Sequence, residues 1–123
     1  MGLAVHSIRE SAAAQVLGRL RKICLALPDA HETVAFGHPT FRVKERMFTV
    51  LEEYRGEMTI AVKVGKPLQA VFLKDTRFIR TPYLGQHGWV SLRLAARGGA
   101  GADWNEIAEL VQGSFTLVSA RRR

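Results

Sequence analysis

The chain has 123 residues, of which 47% are hydrophobic and 24% charged, as in an ordinary soluble globular domain and unlike a disordered segment. The formal net charge is +7, and such an excess of cations is typical of proteins that bind polyanions. No apolar run approaches the ~18 residues of a membrane span, and the N-terminal segment lacks the basic and apolar regions of a secretory signal. The single cysteine, Cys24, cannot form an internal disulfide, so we expect a cytoplasmic protein.

Residues 7–27 are predicted to form the first helix. Ser7 and Glu10 have the spacing of a capping box at its start, and Pro28 ends it. Apolar residues at spacings of three and four draw one stripe along this helix. The stripe consists of Ile8, Ala12, Val16, Leu20, Ile23, Cys24 and Leu27. We interpret Cys24 as a core residue, because no neighbour is present that would activate its thiol.

Four short β-strands are predicted next, over residues 34–36, 40–44, 47–51 and 58–64. Apolar residues alternate with others in each strand, and Gly or Pro stands at the breaks. Connections this short join antiparallel neighbours, because a parallel crossover needs a dozen or more residues. The pattern therefore predicts an antiparallel meander.

The alternation divides the side chains of the meander between two faces. The first face is apolar and is expected to be covered by helices. It holds Val34, Phe36, Phe41, Val43, Phe48, Val50, Ile60, Val62 and Val64. The second face is expected to stay partly open, and it carries cations and small residues but no carboxylate. It holds Thr33, Ala35, Arg42, Lys44, Met47, Thr49, Leu51, Thr59, Ala61 and Lys63.

Two helices and a fifth strand complete the prediction. Pro67 suits the first turn of a short helix over residues 68–73. The apolar face of this helix would consist of Leu68, Val71 and Phe72. Residues 75–82 are predicted to be a loop with some extended character, and residues 89–94 a strand. Asp103 is the predicted cap of the last helix. Its buried stripe would be Trp104, Ile107, Ala108, Val111, Phe115 and Val118.

The order of elements is therefore α-β-β-β-β-α-β-α in one domain spanning residues 1–123. This order predicts an α+β fold, with an antiparallel sheet of about five strands and helices packed on one face. Residues 98–101 are glycine-rich and are expected to form a connection. Residues 121–123, all arginine, are expected to form a disordered basic tail.

Several motifs in this chain resemble the MmcQ/YjbR family, and their order matches over nearly the whole domain. The motifs are Leu27-Pro28 with Glu32, Phe36-Gly37-His38-Pro39-Thr40-Phe41-Arg42-Val43, Tyr83-Leu84-Gly85, Gly88-Trp89-Val90, and Asp103-Trp104 with Ser114-Phe115. The resemblance implies a compact α+β fold of the double-wing type, similar in topology to the CyaY fold. It also implies DNA binding, an assignment that rests in that family largely on fold and charge. The family often has Gly-Lys near the second hairpin, where this chain has Glu45-Arg46.

The sequence contains no pattern that identifies a catalytic or metal site. It has no Gly-x-Ser-x-Gly elbow and no nucleophile beside an evident base. Its glycine clusters fit neither a P-loop nor a dinucleotide fingerprint. The histidines lack the spacing of metal ligands, although folding could still gather His31, His38 and Glu32. We predict no catalysis, no metal and no cofactor, and we interpret His38 as a turn histidine bonded to the backbone.

Nucleic-acid binding has a physical basis in the cations of the second face and of the hairpin tips. The predicted contact residues are Arg42, Lys44, Arg46, Arg55, Lys63, Lys66, Trp89 and Arg93. Cations neutralise phosphates, and an exposed indole can stack on a base. We therefore expect weak, largely sequence-independent binding by a monomer, with double-stranded DNA as the partner. The sequence leaves Trp89 two alternatives, exposure on this face or burial under residues 98–101 or the last helix.

A second class of function stays open at this stage. The same basic face could bind an anionic small molecule or an acidic protein partner. His38, Tyr83 and Trp89 would then form the ligand pocket. The two functions differ in their dependence on DNA length, because a duplex binder gains affinity as the duplex grows and a metabolite pocket does not.

Overall fold

The computed structural model describes residues 2–94 and 102–120, with side chains from residue 12 onward. Its helices are α1 (Gly2–Cys24), α2 (Lys66–Leu73) and α3 (Trp104–Ala120). Its strands are β1 (Ala30–Ala35), β2 (His38–Val43), β3 (Arg46–Tyr54), β4 (Glu57–Lys63), β5 (Phe78–Arg80) and β6 (Trp89–Arg93), with a short 3-10 helix at Leu84–His87. The predicted α+β class is confirmed. The expectations for residues 98–101 and 121–123 lie outside the described residues.

The sheet has six strands in the order β1-β2-β3-β4-β6-β5, and every neighbouring pair is antiparallel. The additional strand is β5, which the sequence predicted as loop with extended character. This strand is held in the sheet by Phe78, which pairs with Leu92 and is buried. Its ring also meets Phe72 of α2 edge to face, with 5.1 Å between the centroids.

Helices α1 and α3 pack on one face of the sheet and enclose the main core with it. The helices contribute Val16, Leu20, Cys24, Ile107, Val111 and Val118 to this core, and the sheet contributes Phe41, Phe48, Leu51, Ile60, Val62, Val90 and Leu92 among others. Asp103 caps α3 as predicted, since its carboxylate accepts from the backbone N–H groups of Asn105 and Glu106. The predicted cap of α1 was wrong, because the helix begins at Gly2 and Ser7 lies inside it.

A β-bulge in β3 moves several side chains to the face opposite to the one predicted. Phe41 pairs with Thr49 but Arg42 pairs with Met47, so Phe48 is an extra residue in the ladder. Beyond the bulge the alternation is shifted by one residue. Thr49 and Leu51 therefore face the helices, and Val50 lies on the other side. The predicted faces were wrong for these three residues.

Two further apolar positions that were predicted to be buried are exposed. Val34 is 73% exposed and Phe36 is 99% exposed, because the β1–β2 hairpin extends beyond the helices. Phe36 and Gly37 form the two-residue turn of this hairpin with φ values of 53° and 80°, the geometry of a type I′ turn.

The buried side of α2 also differs from the prediction. Leu68 and Val71 are exposed, whereas Gln69 is buried and Phe72 packs against the core. The polar Gln69 is tolerated there because its amide group donates two hydrogen bonds to carbonyl oxygens.

Candidate nucleic-acid interface

The sheet face opposite α1 and α3, here called the outer face, is partly covered by residues 81–88. Its central row runs across four strands through Thr40, Val50, Ala61 and Ser91, and all four are buried. Leu84 packs on this row, and the hydroxyls of Thr81 and Ser91 lie 2.8 Å apart. The expectation of an open outer face therefore holds only at its margins.

Hydrogen bonds from the Gln69 side chain and from the backbone fix the covering segment to α2 and to the residues that follow β4. The amide of Gln69 donates to the carbonyl oxygens of Gly85 at 2.7 Å and Trp89 at 3.0 Å. The carbonyl oxygen of Gly88 accepts from the N–H groups of Val64 and Gly65. Gly88 has φ 85°, and a Cβ atom there would lie 2.8 Å from the backbone of Gly65. Only glycine permits so close an approach.

Trp89 is buried, with 4% of its surface exposed. It packs with Val50, Ala61, Met47 and Leu84 in a small cluster on the outer face. Of the two alternatives that the sequence left, burial is the one found, and Leu84 is among the residues that pack with the indole. The indole is therefore not available to stack on a base.

Cations collect where β3 begins and β4 ends. A groove of about 520 Å³ at this end of the sheet, here called the basic groove, is lined by no carboxylate among the residues that the structure describes. Its lining residues are Arg46, Met47, Lys63, Gly65, Lys66, His87, Trp89 and Val118. Lys44 is exposed in the adjoining β2–β3 turn. The predicted cations Lys44, Arg46, Lys63 and Lys66 thus lie at one end of the sheet.

Arg42 stands beside this groove and also supports the fold. It pairs across the strands with Met47, which lines the groove. Its guanidinium group donates to the Thr33 hydroxyl at 3.1 Å and to the Glu45 carbonyl oxygen at 2.9 Å. Arg42 is therefore half-buried, and part of its hydrogen-bonding capacity is used within the protein.

The other two predicted cations lie at the opposite end of the sheet. Arg93 forms a bidentate ion pair with Glu57, with N–O distances of 2.7 and 3.0 Å. This pairing lowers the pKa of Glu57, so the local charge is balanced at neutral pH. Arg55 occupies the β3–β4 turn, and its guanidinium group lies 5.2 Å from the ring centroid of Tyr54. The structure does not bring Arg55 and Arg93 to the basic groove.

A second depression, here called the aromatic cleft, lies between the β1–β2 hairpin and the covering segment. Its volume is about 590 Å³. It is lined by Ala35, Phe36, His38, Thr40, Met47, Val50, Glu52, Pro82, Tyr83 and Leu84. The predicted pocket residues His38 and Tyr83 meet here, whereas Trp89 lines the basic groove instead.

Glu52 is the functional candidate that the sequence did not identify. It follows the predicted strand over residues 47–51, and the second face was predicted to carry no carboxylate, yet Glu52 pairs with Thr59 and lines the cleft. Burial raises the pKa of the Glu52 carboxyl group, and the charge of His38 opposes this rise. Glu52 was missed because the sequence does not show the bulge at Phe48. The bulge moves the β3 residues that follow it to the opposite face of the sheet.

His38 does not have the role of a turn histidine bonded to the backbone. Its imidazole makes no recorded hydrogen bond within residues 12–94 and 102–120, and it lines the aromatic cleft. Within the same residues, no three His, Cys, Asp or Glu side chains are grouped so that they could hold a metal ion. Glu32 binds Arg21 instead, at 2.7 Å. No helix in the described ranges is long and apolar enough to cross a membrane.

The family model of YjbR matches residues 25–117. The chain belongs to the YjbR family. A crystal structure of Deinococcus radiodurans protein DR2400, with a DUF419 domain, superposes with a TM-score of 0.68 at 24% identity, and the match covers 83% of this chain and 77% of that chain. This similarity confirms the fold that the motifs implied. No curated protein matches the chain.

Proposed function

We propose that this YjbR-family protein binds double-stranded DNA weakly and without strong sequence preference, through the basic groove and the adjoining β2–β3 hairpin. The observation that supports the proposal is the grouping of Arg46, Lys63 and Lys66 around one groove, whose described lining residues include no carboxylate. Lys44 and Arg42 flank this groove. The proposal assigns the protein no catalytic step.

The expected affinity follows from the number of cations. About five phosphate contacts give a micromolar or weaker dissociation constant at physiological salt, because non-specific complexes have values of roughly 10⁻⁴–10⁻⁶ M. Contacts to phosphate carry no sequence information by themselves. Since Trp89 is buried, the groove offers no exposed indole for reading or wedging between bases.

Charge reversal at the groove tests this proposal. Arg46 and Lys66 are exposed, so the double variant Arg46→Glu, Lys66→Glu is expected to fold normally. It should abolish duplex binding in a fluorescence-anisotropy titration at low salt, because two attractive contacts become repulsive.

A matched control has the same change in charge at positions distant from the groove. Arg55 and Lys74 are also exposed, and neither lines the groove. The variant Arg55→Glu, Lys74→Glu should keep most of the affinity. Equal losses in the two double variants would show that net charge and not the groove determines binding.

The alternative function, binding of an anionic small molecule at His38, Tyr83 and Trp89, has weaker support. Trp89 does not line the aromatic cleft, and the lining contains Glu52 but no lysine or arginine. A carboxylate in a largely apolar cleft repels an anion, so this cleft suits a neutral or cationic group.

A further inference from the structure

We propose that the aromatic cleft receives one unpaired base of a single-stranded nucleic acid. The base stacks on Phe36 and Tyr83, and its amino group donates a hydrogen bond to the Glu52 carboxylate. This inference rests on the proposed function, because other phosphates of the same strand would lie in the basic groove. It adds a preference for unpaired strands that the groove alone does not provide.

The two aromatic residues are exposed to an unusual degree and lie in unusual backbone conformations. Phe36 is 99% exposed and Tyr83 is 93% exposed, although aromatic side chains are generally well buried. Their φ values are 53° and 65°, in the left-handed region that is uncommon for residues other than glycine. They come from two different elements and line one cleft. Exposed aromatic rings in a cleft are the usual platforms for base stacking.

The polar groups of the cleft favour a base over an anion or a purely apolar ligand. The carboxylate of Glu52 accepts no recorded hydrogen bond within the residues whose side chains are described, and the lining contains no lysine or arginine. A carboxylate accepts hydrogen bonds from the exocyclic amino groups that cytosine, adenine and guanine carry and thymine lacks. The cleft volume of about 590 Å³ lies within the range of roughly 300–1,000 Å³ for sites that hold small ligands.

The position of the cleft connects it with the phosphate site. Met47 lines both the aromatic cleft and the basic groove, so the two depressions are adjacent on the outer face. The aromatic cleft extends from Met47 to Phe36 at the far end of β2, so a strand whose phosphates follow Arg46 and Lys66 can place a base several nucleotides further along beside Phe36 and Tyr83. A paired base is held in the duplex stack and reaches the cleft only after the cost of unstacking.

The test compares Tyr83→Ala and Phe36→Ala with the unmodified protein, by anisotropy, on three probes. The probes are oligodeoxycytidine and oligothymidine of about 12 nucleotides and a duplex of the same length. Each variant should bind oligodeoxycytidine roughly 5- to 150-fold more weakly, the range measured for loss of one stacked base. Duplex binding should change less than about twofold. Leu68→Ala, an exposed apolar residue outside both depressions, should leave all three affinities unchanged.

The role of Glu52 has its own readout. Oligodeoxycytidine should bind about 5-fold or more tightly than oligothymidine, and Glu52→Gln should remove most of that ratio while raising both affinities. An equal affinity for the two strands overturns the assignment of Glu52.

Each remaining result identifies the claim that fails. Equal effects of Tyr83→Ala on duplex and single strand overturn the base site but leave the proposed duplex binding intact. The absence of binding to any probe at low salt overturns the base site and the proposed function together.

Discussion

Cys24 shows how a reactive residue type becomes an inert core residue at this position. The thiol is buried at the end of α1, and burial raises its pKa to about 12. Because the thiolate is the nucleophilic form, the native thiol should resist alkylation at mildly alkaline pH and react only after unfolding. The sequence already indicated this, since the spacing of the helical stripe placed Cys24 on the buried side.

The raised pKa of Cys24 predicts a fall in stability at alkaline pH. In the unfolded chain the thiol loses its proton near its ordinary pKa of 9.0, before the folded protein does, so the unfolded state is favoured as pH rises above this value. The free energy of unfolding should fall by about 1.4 kcal/mol per pH unit from this group, starting near pH 9.

Urea denaturation of the unmodified protein and Cys24→Ala at several pH values measures this effect. The alanine variant lacks the thiol, so the difference in unfolding free energy between the two proteins should narrow as pH rises. It should be constant below pH 9. A difference that does not depend on pH would mean that the thiol titrates normally in the folded protein.

The bulge in β3, which contacts α3, determines which face of the sheet the following β3 residues occupy. The hydroxyl of Ser114 donates to the Phe48 carbonyl oxygen at 2.6 Å and accepts from the Lys63 N–H at 2.9 Å. Thr49 and Val62 are the last pair of the β3–β4 ladder, and the Ser114 hydroxyl bridges the two strands just beyond this pair. One serine on the buried side of α3 therefore stabilises the irregularity that places Val50 and Glu52 on the outer face.

Ser114→Ala is expected to destabilise the protein by about 1–3 kcal/mol, because it removes the hydroxyl that donates to the buried Phe48 carbonyl oxygen. Ser119 provides the control in the same helix, since it is exposed and its hydroxyl bonds only to the Phe115 carbonyl oxygen. Ser119→Ala should change the stability by less than about 0.5 kcal/mol. Similar losses in the two variants, measured by urea denaturation, would contradict this account of the bulge.

Local patterns in the sequence predicted most helices and strands, but not which of their residues would be buried. Helical spacing located α1 and α3, and alternation located the strands of the meander. The bulge at Phe48 could not be seen because its partner, Ser114, is 66 residues away. The burial of Gln69 could not be predicted for the same reason. The carbonyl oxygens that accept its hydrogen bonds belong to Gly85 and Trp89, which come near Gln69 only in the folded chain. The sequence was therefore enough to identify the cations of the basic groove. Glu52 could be identified as a cleft residue only once the strand register was known.

At the scale of the whole molecule, DNA could bind at the basic groove or be attracted only by the overall positive charge. These two cases predict different salt dependences of binding. The net charge of +7 attracts DNA regardless of where the cations lie. Residues 121–123 contribute three of these charges. Lys44, Arg46 and Lys66 contribute three others around the groove. Deleting the tail or replacing the groove cations by alanine leaves the same net charge, 7 − 3 = +4.

The salt dependence of duplex binding should separate these two contributions. With about five phosphate contacts, the slope of log K against log salt should be about −4.5 for the unmodified protein. The triple variant Lys44→Ala, Arg46→Ala, Lys66→Ala should lose about 2.7 of that slope, since each contact contributes about 0.9. Deletion of residues 121–123 should lower the affinity but change the slope less, because the proposed phosphate contacts are made by the groove cations. If the two proteins of equal charge give equal slopes, the basic groove is not the DNA site and binding reflects net charge alone.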